Sequence, residues 1–170
     1  MFNLKSEFYL KIIFLFSFIA LVSAFFIEYV LGHQPCNLCL IERIPYGLSI
    51  MIIMAIFLIR KNQKFLVMLL ILTFIFSFAI SFYHFGIEQG FFQESSVCGV
   101  KSSTEIVTKE DLLKQLSEKT ISCKDVTFRI FGLSLTSINI VISLILILTL
   151  TKIFTNYEKK KIIKLKNLLE

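Results

Sequence analysis

Residues 34–43 read QPCNLCLIER, which sets two cysteines, a proline, a glutamate and an arginine inside otherwise apolar chain; two further cysteines, Cys98 and Cys123, stand far downstream. A C-x-x-C pair supports three chemistries: a metal knuckle, haem attachment, or thiol–disulfide exchange. Haem attachment needs a histidine directly after the second cysteine, and that residue is Leu40. Zinc is best served by a second knuckle or by spaced histidines, whereas Cys98 and Cys123 are widely separated and His33 and His84 are isolated. Exchange needs a thiolate within reach of a partner. Redox chemistry therefore leads, with a metal as the weaker alternative.

The surrounding residues suit a thiolate. Pro35 disfavours helix at Gln34, so a helix that begins after it seats Cys36 and Cys39 on the first turn. Free N–H groups and the positive end of the dipole stabilise an anion there. Arg43 follows Cys39 by one helical turn on the same face and adds a cation. The plainer reading of Arg43 is an interfacial anchor, paired with Glu42 and reaching for lipid headgroups. Glu28 reads as an interfacial residue of the same kind.

Composition says what holds this stretch. Of the 170 residues, 56% are hydrophobic, with 19 Phe and only 2 Pro. A water-facing surface for a chain this size demands more polar side chains, so a lipid-facing exterior is required. Four apolar stretches have the length to span a bilayer as helix, 9–31, 44–59, 65–83 and 130–151. None alternates with period two, which sets strands aside. The fold expected is an all-α, four-helix transmembrane bundle of one domain, with outer loops 32–43 and 84–129 and a basic tail 152–170. Val22-Ser23-Ala24 resembles a signal-peptide cleavage site, but the apolar run continues through Leu31, which favours an uncleaved anchor.

Basic residues orient the bundle. Lys5, Lys11, Arg60, Lys61, Lys64 and the lysine-rich tail flank one side, while the first loop holds only Arg43 and the long loop is nearly balanced. Both termini are expected inside. The formal charge of +6 sits on that inner side, where topology and anionic lipid account for it without a nucleic-acid partner. All four cysteines then fall on the outer face, two in each loop. An oxidising compartment there favours two disulfides. Taken alone, Cys98 and Cys123 suit a structural bridge across a long loop, worth about 3 kcal/mol by chain entropy; the short C-x-x-C ring restrains little chain and suits exchange.

QPCNLCLIERIPYG followed by a span, then FYHFGIEQGFFQESSVCG and a distant fourth cysteine, resembles the DsbB family of the bacterial inner membrane over about residues 9–151. The resemblance implies an enzyme that reoxidises a periplasmic DsbA-like thioredoxin-fold oxidase and passes the electrons to quinone, ubiquinone or menaquinone, with its active loops facing the periplasm. It implies that Cys98 is attacked by the partner's dithiol and that Cys123 then attacks the first-loop pair through Cys36. Cys39 becomes the thiolate facing quinone, Arg43 holds the ring, and His84 stands near a quinone-side histidine.

Two other readings compete: a membrane scaffold with inert disulfides or a zinc site, and a vitamin K epoxide reductase-like enzyme. The latter has its C-x-x-C on a late span, whereas here it opens the second. In the long loop, Thr108 and Asp111 resemble a capping box ahead of Leu112, Leu113 and Leu116, which suggests a short amphipathic helix over 108–118 on the bilayer surface. His33 and Glu42 acquire no role from sequence.

Overall fold

The computed structural model describes residues 4–59, 62–93, 98, 123–124, 129–130 and 132–169. The amphipathic helix expected over 108–118 lies outside them. Helices α1 (Leu4–Tyr29), α2 (Asn37–Leu58), α3 (Gln63–Glu88) and α4 (Leu135–Leu169) are joined before α4 by a two-residue hairpin, β1 (Arg129–Ile130) and β2 (Leu133–Ser134). All four helices contain a segment long and apolar enough to cross a membrane. The chain is an all-α, four-helix membrane bundle.

Element ends differ from the sequence expectation in ways that matter for the site. The second helix starts at Asn37, ahead of the 44–59 apolar run, so Cys39 lies on its first turn as the position of Pro35 requires. The third runs on through Glu88, so His84 sits on a helix instead of opening the long loop. The fourth is preceded by the hairpin, so residues 130 and 132–134 are not helical. Each end has a local cause. Gly32 at φ +72° turns the chain after α1, and Cys36 caps α2 with its sulfur accepting from Cys39 N–H at 3.3 Å. Gly90 at φ +78° ends α3, and the N–H groups of Phe91 and Phe92 return to the Gly86 carbonyl at 2.8 and 3.1 Å. The Phe92 ring then lies on Gly86, where any Cβ would collide with it, and stacks on Tyr83. At α4, Ser134 Oγ accepts from Ser137 N–H at 3.3 Å, a serine N-cap.

Packing follows a layered logic. Phe, Leu and Ile on the outer faces, including Phe8, Leu15, Phe18, Met51, Phe76 and Leu148, are exposed, as side chains facing lipid should be. One half of the interior is hydrocarbon, centred on Leu10, Ile53, Ile56, Leu70, Phe74 and Leu150. Above it the interior turns polar. Ser49 Oγ donates to Ser17 Oγ at 3.0 Å across α1 and α2, and Ser143 Oγ donates to Ser77 Oγ at 3.2 Å across α3 and α4. Small hydroxyl residues let helix backbones approach, and hydrogen bonds between helices replace contacts that water would make elsewhere. This serine layer carries the helices into the end where the cysteines lie.

Candidate functional site

At that end the two cysteine pairs meet. Cys36, Cys98 and Cys123 form one buried cluster with Leu38 and Ile87, and Cys39, Ile41 and Tyr83 pack against it. Cys98 and Cys123 are joined in a disulfide with Cα atoms 5.4 Å apart, while Cys36 and Cys39 carry free thiols whose sulfurs are 2.8 Å apart. Helix geometry explains the second pair, since residues three apart at a helix start face the same way. Three residues assigned separately by sequence, Cys36, Cys39 and His84, are thereby brought together from α2 and α3: His84 Nε2 is 3.6 Å from Cys36 Sγ.

His84 is 2% exposed, and its other nitrogen finds a buried acid. Nδ1–H donates to Glu42 Oε1 at 2.9 Å. The second carboxylate oxygen of Glu42 accepts from Asn139 Nδ2 at 3.0 Å, and the same amide nitrogen donates to Ser81 Oγ at 2.7 Å. Tyr46 OH donates to Asn139 Oδ1. Five polar side chains from α2, α3 and α4 are thus mutually satisfied inside an apolar bundle, where a lone buried carboxylate would be costly. Glu42, without a role in sequence, is the centre of this network. Asn139, Tyr46 and Ser81 went unnoticed there; the available signal was an amide and an acid placed inside runs otherwise apolar enough to span.

Arg43 points elsewhere. Its Nη1 pairs with Glu28 and its Nη2 donates to the Ala24 carbonyl at 3.5 Å, both on α1, and the guanidinium lies 5.3 Å from the centre of the Phe25 ring. Its carboxylate partner is therefore Glu28 and not the adjacent Glu42. Arg43, Cys39, Cys36, Glu42, His84 and Cys123 nevertheless share one cavity of about 360 Å³. Its remaining wall is largely hydrocarbon from α1 and α4, including Phe16, Ile19, Ile27, Ile138 and Ile142.

The chain matches the family described as Disulfide bond formation protein DsbB over residues 6–153, which takes in α2 and α3 whole, nearly all of α1, the first half of α4, both cysteine pairs and every wall of this cavity. It belongs to the DsbB family. A protein named Uncharacterized protein RP370, from Rickettsia prowazekii (strain Madrid E), is 32% identical over 136 residues, which is 79% of this chain and 79% of the relative. Membership makes this a membrane oxidoreductase of disulfide-bond formation.

Within the reduced C-x-x-C pair the two sulfurs are not equivalent. Cys36 caps α2 and is the acceptor. The Cys39 thiol donating to it, opposed by burial and reinforced by His84 Nε2 and by Cys39 N–H, holds the Cys36 thiol far below the ordinary range, at about 4. Alkylation of Cys36 in the reduced protein should therefore stay nearly constant as pH falls from about 8 to about 6, where an ordinary thiol near 8.5 loses about a hundredfold in rate. A pH series with a small alkylating agent, read by mass spectrometry at Cys36, checks this; a hundredfold loss would return Cys36 to the ordinary range.

Proposed function

We propose that the chain is a quinone-dependent thiol oxidase that reoxidises a DsbA-like dithiol protein on the outer face of a bacterial inner membrane. One observation carries the reading: the Cys98–Cys123 disulfide is packed against Cys36, and Cys36 and Cys39 open onto an apolar cavity that also holds a guanidinium. Water-side and lipid-side chemistry are in contact there. Lysine and arginine flanking the other end of the bundle support an outward-facing cysteine end.

Electrons would move as follows. A thiolate of the partner attacks Cys98, the Cys98–Cys123 bond breaks, and Cys123 leaves as thiolate. The partner's second thiol resolves the mixed disulfide, so the partner is oxidised and the loop pair is reduced. Cys123 then attacks Cys36 of an oxidised Cys36–Cys39 pair and displaces Cys39, and Cys98 completes the exchange, which leaves Cys36 and Cys39 carrying the two electrons. Cys98 and Cys123 are both buried against Ile87 and Leu38, so the first attack requires the pair to lift from this cluster.

The cavity fits a quinone ring in size and lining, since small-molecule sites run from about 300 to 1,000 Å³ and are mostly apolar with a few placed polar groups. Bound there, a quinone supplies a two-electron, two-proton acceptor. Arg43 would present its remaining N–H groups to a ring oxygen, with Glu28 fixing the guanidinium plane and offsetting part of its charge. His84, held by Glu42 with Nδ1 as donor, turns Nε2 to Cys36, where it takes or returns the sulfur's proton.

Trapping tests the partner half of the reading. With Cys123 replaced by serine, the free Cys98 thiolate should attack the disulfide form of a periplasmic thioredoxin-fold protein, displace one of its sulfurs as thiolate and, with no Cys123 to release it, collect as a mixed disulfide visible on a non-reducing gel and lost on reduction. If Cys98 forms no adduct with any thioredoxin-fold protein while remaining alkylatable, the relay fails.

A further inference from the structure

The donor set at the cysteine end is also that of a metal centre. Cys36 Sγ, Cys39 Sγ and His84 Nε2 lie within 4.8 Å of one another. In a tetrahedral zinc site, sulfur and nitrogen ligands stand about 3.5 Å apart and two sulfurs about 3.8 Å. The Cys36–His84 separation of 3.6 Å already meets this, and the two sulfurs at 2.8 Å need only spread by a modest side-chain rotation.

Two independent features point the same way. Glu88, one turn beyond His84 on α3, has a side chain only 7% exposed, and its Oε1 is 3.9 Å from His84 Nε2. Its Oε2 is buried without a hydrogen-bond partner among the described residues. A buried carboxylate oxygen left unsatisfied is costly, and Glu88 lines the same cavity as the trio. The second feature lies behind His84, where Glu42 accepts from Nδ1–H. Metal-binding histidines are held in this manner, which fixes the tautomer with Nε2 free to coordinate and raises its basicity. Two sulfurs, one imidazole and one carboxylate select zinc among the common divalent ions.

We infer that the reduced form of this protein binds one zinc ion through Cys36, Cys39, His84 and Glu88, and that the metal holds the redox pair out of action. Binding moves no electrons: the ion displaces whatever protons the two thiols still carry, and the pair becomes a dithiolate. Oxidation to the Cys36–Cys39 disulfide removes both sulfur ligands, so the site exists only in one redox state. An outer-face zinc excess would thereby arrest the protein after it has been reduced. That regulatory consequence rests on the function proposed above; the binding itself does not.

Cobalt(II) is a spectroscopic probe for such a site. The full chain in detergent, reduced with a phosphine, should take up one equivalent of cobalt, with a thiolate-to-metal band and the intense visible bands of tetrahedral geometry, and zinc should displace it. The disulfide-oxidised chain should give neither. Cys39→Ser should abolish the thiolate-to-metal band expected of the pair. The near-isosteric Glu88→Gln should weaken binding about tenfold, and Glu42→Gln by about 10–100-fold through His84. Octahedral bands without thiolate character would overturn the site. So would affinity unchanged in both Glu88→Gln and Glu42→Gln, because the two cysteines alone would then account for it. Disulfide exchange with a small dithiol, followed separately, keeps the two ideas apart. A chain that exchanges but takes up no tetrahedral cobalt loses only the metal site. A chain that binds cobalt as described but never exchanges keeps the site and loses the redox reading.

Discussion

Replacing Cys39 by serine should stop quinone-dependent oxidation of a dithiol partner, a fall of about a thousandfold or more and on the order of 4 kcal/mol in the barrier. Little else should change. Serine is close in size, and its hydroxyl can still donate to Cys36 as the Cys39 thiol does at 2.8 Å. The Cys98–Cys123 bond is untouched, so exchange with a small dithiol should persist at that pair. What disappears is the second electron-carrying sulfur at the cavity, because a disulfide cannot form at Cys36 alone. Cys36 of the variant should instead attack Cys123 of the Cys98–Cys123 bond and displace Cys98 as thiolate, so that a Cys36–Cys123 bridge collects beside the shared cavity. Absorbance of a soluble quinone analogue follows turnover, and mass mapping of non-reduced peptides follows the bridge. Turnover retained at the normal rate would end the assignment of the C-x-x-C pair to the lipid side.

The bundle was legible in the sequence because bilayer length and lipid contact leave few options. Four apolar runs of the right length, without period-two alternation, admit only helices. The helix start at the C-x-x-C was legible for a local reason, since Pro35 blocks helix before it and Cys36 then becomes the cap. Helix ends were harder. The end of α3 depends on Phe92 folding onto Gly86, a contact that hydropathy does not register, and so His84 was placed in a loop. The partners of charged residues were least legible. Glu42 and Arg43 are neighbours in sequence but point in different directions from the helix axis, one toward α3 and α4, the other toward α1. Side-chain pairing across helices is a property of rotation and register, and neither is written in a hydrophobic run.

Glu42 offers the second large effect. Its carboxylate accepts two hydrogen bonds, from His84 Nδ1–H and from Asn139 Nδ2, and glutamine can accept only one of them. Its amide nitrogen would meet a donor on the other side. Asn139 cannot flip to help without losing its bonds to Ser81 and Tyr46. His84 would therefore switch tautomer, accept at Nδ1 and present Nε2–H to Cys36, a state that cannot take a proton from the Cys36 thiol. Glu42→Gln should slow electron transfer from the loop pair to the cavity by about 10²–10⁴-fold, the usual range for losing a positioned base. Stability should drop by about 1.5–3 kcal/mol, as expected when a hydrogen bond to a charged group is lost in the interior. Glu42 is a positioning residue in this account, so the decisive comparison is between steps. Exchange between a dithiol and Cys98–Cys123 should keep its rate, while oxidation of the Cys36–Cys39 pair slows. A variant that melts earlier in detergent but keeps both rates would reduce Glu42 to a packing role.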